Sequence, residues 1–245
     1  MANLETRRVA ELDCQFITSE KTPLFSVVLC HGFGAPGDDL VPVGAQLLTQ
    51  FPELLDQVQF VFPAAPLTLD AIGLPGGRAW WPLDIDRLNL VVQKRDYSAF
   101  RKHLPPQLPA ARHQLLQLIR EIQKTADQSP DRILLGGFSQ GAMLATDVAL
   151  QLETPPAGLI VWSGTLLDEE EWTARASRLA NTPVIQSHGR EDEILPYEAA
   201  LWLKELFVAA QAHVNFIGFR GPHTIPKEAV SAVGQLLQRL LGVIE

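Results

Sequence analysis

A serine set between two glycines, where an apolar strand-like run meets a helix-like run, restricts this chain more than any other feature it carries. Gly137-Phe138-Ser139-Gln140-Gly141 follows the buried-strand pattern of 132–136 and precedes a helical pattern over 142–152. A tight strand-to-helix turn forces its central residue into a strained backbone with the side chain exposed, and small flanking residues leave room for neighbouring chain. The 9 serines and 17 glycines among 245 residues give about 0.04 such arrangements by chance, before any strand or helix is required beside them. A surface loop rich in small residues is the competing reading of the same five positions.

The rest of the chain supplies the strands and helices that such a turn needs. Strand-like runs occupy 10–17, 25–30, 58–62, 132–136, 157–162, 184–188 and 214–219. Helical patterns lie at 40–51, 109–127, 142–152, 197–212 and 227–241. The clearest is 109–127, with Ala111, Leu115, Leu118, Ile119 and Ile122 on one stripe and Pro109 in its first turn. Strands alternating with helices imply an α/β fold, a mostly parallel, doubly wound sheet with helices on both faces, formed as one domain over 1–245. The runs at 10–17 and 25–30, joined by a short turn near Thr22-Pro23, are expected to pair as an antiparallel edge. The segment 69–108 lacks periodicity and holds Gly76-Gly77, Trp80-Trp81-Pro82 and Pro105-Pro106. A connection of that length inside a compact domain suits a lid or substrate-binding excursion.

Composition narrows the partners. A formal net charge of −8 argues against nucleic acid or an anionic membrane, which need clustered cations. The four cations of Lys94 to Lys102 read as a solvated face. No apolar run approaches the ~18 residues of a membrane span. The first residues show no apolar stretch of a secretory signal, so the expected location is cytoplasmic. Cys14 and Cys30 sit in strand-like runs and read as small buried hydrophobes. No His/Cys/carboxylate group has metal-ligand spacing, so neither metal nor other cofactor is expected. The expected substrate is a small molecule or an acylated one, and a homodimer is compatible with everything above.

A serine hydroxyl needs a base, and six histidines are available: His31, His103, His113, His188, His213 and His223. Reactive groups in a doubly wound sheet gather beyond the carboxyl ends of the strands. His103, His113 and His31 precede the serine, whereas the hydrolase order is serine, acid, histidine. His213 enters the last strand from its amino end. His223 lies just past that strand's carboxyl end and is the expected base. The acid is expected at Asp192, past the strand at 184–188, where it would hold the imidazole in one tautomer. Asp168 is the rival from one strand earlier, and Glu191 and Glu193 read as solvated neighbours. An oxyanion hole needs two backbone N–H donors, expected from Gln140 and from Phe33 in His31-Gly32-Phe33-Gly34. His31 itself reads as structural. Leu74, Trp80 and Trp81, with Leu83 and Ile85, are expected to wall an acyl groove, the alternative being that the tryptophans are core anchors.

Taken together these pieces resemble the phospholipase/carboxylesterase family of α/β-hydrolases, which includes the acyl-protein thioesterases. The resemblance rests on His31-Gly32-Phe33-Gly34, Arg78-Ala79-Trp80-Trp81, the run Arg132 to Gly141, Trp162-Ser163-Gly164, His188-Gly189 through Asp192 to Pro196, and Gly221-Pro222-His223. It implies a metal-independent serine carboxylesterase or thioesterase with Ser139, Asp192 and His223 as triad and Phe33 and Gln140 at the hole. The chain departs from the family where Ala35 replaces a frequent aspartate and Pro82 follows the tryptophans, so protein deacylation is not implied. Two other readings are a catalytically weak hydrolase-fold binding protein and a small peptidase or amide hydrolase. The intact serine, acid and histidine argue against the first, and the lack of room for a substrate-selecting domain argues against the second.

Overall fold

The computed structural model describes residues 2–83, 101–102 and 104–244. Ile85, most of the basic stretch 94–102 and His103 therefore lie outside the described residues. One sheet of eight strands runs through the rest, in the order β1-β2-β4-β3-β7-β8-β9-β10. Its strands are β1 (Asn3–Val9), β2 (Leu12–Thr18), β3 (Phe25–Cys30), β4 (Val58–Pro63), β7 (Ile133–Phe138), β8 (Gly158–Trp162), β9 (Pro183–Gly189) and β10 (His213–Phe219). A separate two-stranded ribbon joins β5 (Leu67–Thr68) to β6 (Arg78–Ala79). The strands from β4 to β10 in the main sheet pair in parallel.

Burial explains the order. Every residue of β3 and β8 is buried, and so is every residue of β4, as expected of strands covered on both faces. Helices α1 (Val41–Gln50) and α6 (Lys227–Leu240) cover one face through Leu47, Val233 and Leu237. The other face carries α2 (Leu108–Ala126), α3 (Gln140–Gln151), α4 (Glu169–Arg175) and α5 (Tyr197–Ala209). In α2 the buried residues Leu108, Ala111, Leu115, Leu118, Ile119, Ile122 and Ala126 form the apolar stripe seen in the sequence. Left-handed Asp127 then ends the helix (φ 50°).

The antiparallel edge differs from expectation. β2 pairs with β1 and β4, not with β3. β4 separates the two because the fully buried β3 needs a neighbour on each side, whereas β2 can serve nearer the edge. β1 was invisible as a strand because it is mostly exposed and polar; its cross-strand partners hold it, with Arg8 on Asp13 at 2.9 Å and Arg7 over the Phe16 ring at 5.0 Å. The short α4 also escaped the periodicity argument, and its first turn carries Glu169, Glu170 and Glu171, which suit a helix N-terminus.

The chain runs from β3 outward to β4, then returns to β7 on the other side of β3. That switch point opens a crevice beyond the carboxyl ends of β3 and β7. The two strands approach closely there. An ideal Cβ on Gly137 would stand 2.2 Å from the Cys30 carbonyl oxygen, and one on Gly141 only 2.0 Å from it. Backbone cannot yield as a flexible side chain can. Gly141→Ala is therefore expected to cost about 3 kcal/mol or more of stability, the upper range of overpacking penalties, read by denaturant unfolding. A wild-type midpoint would contradict the close approach.

Candidate active site

Four strand ends meet at this crevice. Ser139 follows β7 with φ 53° and ψ −118°, a region that costs a non-glycine residue on the order of 1–3 kcal/mol. Its N–H is anchored to the Trp162 carbonyl at 2.8 Å, and its own carbonyl accepts the Met143 N–H at 3.1 Å. The following helix is buried from Gln140 to Leu150, so the strained turn is held between a central strand and a central helix.

The turn after β3 lies directly against the serine. A Cβ on Gly32 would meet Ser139 Cβ at 3.3 Å and the Phe138 ring at 3.2 Å. Gly34 takes φ +82°, which turns the chain away and lets its N–H reach the Arg78 carbonyl at 2.9 Å. The backbone N–H groups of Phe33 and Gln140 find no backbone partner among the described residues. His31 is tied in by both ring nitrogens: Nδ1–H donates to the Gly32 carbonyl at 2.8 Å and Nε2 accepts from the Ala65 N–H at 3.0 Å. Only the neutral ring satisfies both, and burial lowers its pKa accordingly.

The carboxylate and imidazole come from the ends of β9 and β10. His223 Nδ1–H donates to Asp192 Oδ2 at 2.6 Å, and the imidazole ring centroid stands 4.7 Å from that of Phe138, the neighbour of Ser139. The other carboxylate oxygen accepts the N–H groups of Ile194 and Leu195 at 2.9 and 2.8 Å. Burial alone would raise the Asp192 pKa. The donors His188 and His223 nevertheless hold it well below the usual carboxylate range, so it stays ionised at neutral pH. The loops can meet because Gly189 has no side chain: a Cβ there would fall 2.3 Å from the Gly221 and Pro222 carbonyls. Asp168 is elsewhere. It opens α4 at φ 39° beside Glu171, Asp147 and Arg112, and burial and the two acids raise its pKa. Exposed Ile194 flanks Asp192 at 48% exposure and exposed Leu74 flanks Gly34 at 41%. Among the described residues no three His, Cys, Asp or Glu side chains converge as a metal site.

Of the two readings of the tryptophans, burial favours core anchors. Trp80 and Trp81 do not line an open groove; both are 1% exposed. Trp80 Nε1–H donates to the His31 carbonyl at 3.0 Å, and both rings pack in the core under α2 and α3. The physical cause is Gln140, whose side chain is itself buried. Its Oε1 accepts the Trp80 N–H and its Nε2 donates to the Trp81 carbonyl, both at 2.8 Å, which clamps the segment to the elbow. Sequence reasoning gave Gln140 a backbone role only; its amide, facing two chain groups, left no pattern to read. His188 was likewise left without a role, although its place in His188-Gly189-x-x-Asp192 was a usable signal. Trp81→Ala is expected to cost about 3–5 kcal/mol of stability, and Gln140→Leu about 2–5 by orphaning two buried backbone groups. Thermal or denaturant unfolding reads both. A stable Trp81→Ala with a changed acyl-chain optimum would return the tryptophan to the substrate.

Comparison with known proteins agrees with this architecture. Residues 12–241 match the phospholipase/carboxylesterase family model. Acyl-protein thioesterase 1 of Eremothecium gossypii is 31% identical over 194 residues, covering 78% of this chain and 76% of that protein. The same-named protein of Debaryomyces hansenii is 27% identical and covers 90% of each. Among solved structures, esterase PE8 superposes with a TM-score of 0.74 at 22% identity, covering 97% of this chain and 98% of that one. A carboxylesterase from Mesorhizobium loti gives 0.72 at 18% identity, covering 96% and 98%. The structural likenesses carry the fold, and the sequence matches carry the lineage: the chain belongs to the phospholipase/carboxylesterase family and has the α/β-hydrolase fold.

Proposed function

We propose that Ser139, His223 and Asp192 form the catalytic triad of a single-domain enzyme that cleaves carboxylic esters or thioesters of acyl chains. The enzyme class follows from the family: the protein is a serine hydrolase of the esterase and thioesterase kind. The observation that carries the residue assignment is the 2.6 Å bond from His223 to a buried, ionised Asp192, with the imidazole against the residue before Ser139. In this reading neutral His223 takes the Ser139 proton as Oγ attacks the acyl carbonyl. The tetrahedral oxyanion is bound by the Phe33 and Gln140 N–H groups. His223 then protonates the leaving alcohol or thiol, the acyl-enzyme forms, and water reverses the sequence to release the acid. Asp192 fixes the tautomer and stabilises the transient imidazolium.

Substrate selection falls to the ends of the site that remain exposed. Leu74 borders the hole turn and, with Ile72 at 62% exposure, offers apolar surface for an acyl chain. Both belong to the described start of the excursion that begins at 69, which is read as one wall of this groove. Relatives bearing the name acyl-protein thioesterase extend the reading to thioesters. All residues of the proposed site come from one chain, and a homodimer is compatible with that. No helix among the described residues is long and apolar enough to cross a membrane. Cys14 and Cys30 are free and buried, and burial pushes the Cys14 thiol up to about 12, which suits a reducing, cytoplasmic setting.

Asp192→Asn should lower kcat by about 10⁴-fold and Asp168→Asn by less than about 3-fold, measured on one short ester. Reversed results would move the acid to α4. Leu74→Ala should lower kcat/KM for dodecanoyl esters and thioesters by roughly 5-fold relative to acetyl ones, since a few buried methylenes are lost. Equal losses at every chain length would remove Leu74 from the groove.

A further inference from the structure

Asp192 is held by more than its triad partner. His188, at the end of β9, is wholly buried, and its Nε2–H donates to the Leu195 carbonyl at 2.8 Å. The same nitrogen stands 3.2 Å from Asp192 Oδ2, the oxygen that also receives His223. Leu195 in turn donates its backbone N–H to Asp192 Oδ1 at 2.8 Å. The result is a closed circuit in which His188 fixes Leu195, Leu195 fixes one carboxylate oxygen, and His188 faces the other. His188 Nδ1 is buried without a partner among the described residues. A proton there would have no acceptor, and a buried unpaired donor is costly.

From this geometry we infer that His188 is a positioning residue of the hydrolytic reaction: an imidazole whose Nε2–H orients Asp192 and draws off part of its negative charge, thereby tempering the carboxylate that His223 faces. The inference rests on the triad reading above. The other ionisable groups around His188 are few. On its own loop they are Asp192, Arg190, Glu191 and Glu193; from α5 comes Tyr197, whose ring meets the imidazole edge-on at 6.2 Å. From the connection after β10 come His223 and Arg220, and Arg220 is occupied with Glu191 at the surface. Arg190 is spread over the Tyr197 ring, 4.7 Å from its centroid. Asp192 is thus the one carboxylate among the described residues that His188 Nε2 meets.

The consequence is a rate effect with a definite pH signature. The 2.8 Å bond to Leu195 sets position; the 3.2 Å approach to Asp192 Oδ2 sets charge. Losing the donor leaves Asp192 a stronger acceptor, so protonated His223 is favoured and the base is captured by protons at higher pH. A residue that only filled the core would change stability and leave the pH profile in place.

The test combines two variants with one measurement on the unaltered protein. His188→Leu should lower kcat/KM about 10- to 100-fold, the range for a hydrogen bond to a charged group, and move the acid limb of the profile upward by about half a pH unit or more. His188→Gln, which can place an N–H where Nε2 stood, should recover most of the rate and return the limb. Histidine-labelled ¹⁵N NMR of the wild type, which needs no variant to fold, should show the His188 proton on Nε2 and none on Nδ1. A proton on Nδ1 of His188, or an unmoved acid limb in His188→Leu, would overturn the inference. If Asp192→Asn is inactive while His188→Leu matches wild type, this inference alone falls. If neither substitution matters, the triad reading falls with it.

Discussion

One backbone oxygen, the Cys30 carbonyl, organises the catalytic end of this molecule. Both glycines of the elbow close on it, at positions where an added Cβ would lie 2.2 and 2.0 Å away. This contact brings the end of β3, with its His31 to Gly34 turn, against the end of β7, with Ser139. A strained serine and the Phe33 N–H, which has no backbone partner among the described residues, become neighbours through the same approach, so the proposed nucleophile and oxyanion donors are set by one packing constraint. The cost of the unusual Ser139 backbone is met by the burial around it, since α3 is enclosed on every side and its first residues cannot relax outward.

A second layer of hydrogen bonds fixes this arrangement from outside. The Gln140 amide spans the Trp80 N–H and the Trp81 carbonyl, and the Trp80 indole returns to the His31 carbonyl. The circuit links the residue after Ser139 to the turn after β3 by way of a segment far away in sequence. Each member is buried, so breaking one leaves an unpaired polar group in a low-dielectric interior, which makes the circuit stiff. The acid side follows the same logic. Gly189 admits the Gly221-Pro222 backbone, and the Asp192 carboxylate is then gripped by two backbone N–H groups and two imidazoles.

The parts legible in the sequence were those where side-chain pattern and backbone demand coincide. The alternation of apolar runs with amphipathic stretches called for a mostly parallel sheet, and the glycine-flanked serine marked one strand-to-helix turn in it. Chain order and strand ends singled out Asp192 and His223, and those two side chains lie within one hydrogen bond. What escaped had no side-chain signature. β1 is a polar edge held by its partner's ladder, and the placement of β4 between β2 and β3 is a sheet-wide compromise invisible within either strand. Trp80 and Trp81 looked like groove walls because aromatic surface serves a core and a groove equally well. Only the Gln140 amide, bonding backbone rather than side chain, decided between the two. His188 sat in plain view beside Asp192, but its use depends on a loop that folds Leu195 back onto it.

The account stands or falls on the reactivity of Ser139. Treatment with a fluorophosphonate ester followed by mass-spectrometric mapping reads this directly, because only an activated serine displaces the fluoride at a useful rate. The expected result is one adduct, on Ser139, absent from Ser139→Ala and slowed by about 10³-fold or more in His223→Ala. A folded wild-type protein that takes up no probe, or an adduct that persists in Ser139→Ala, would contradict it.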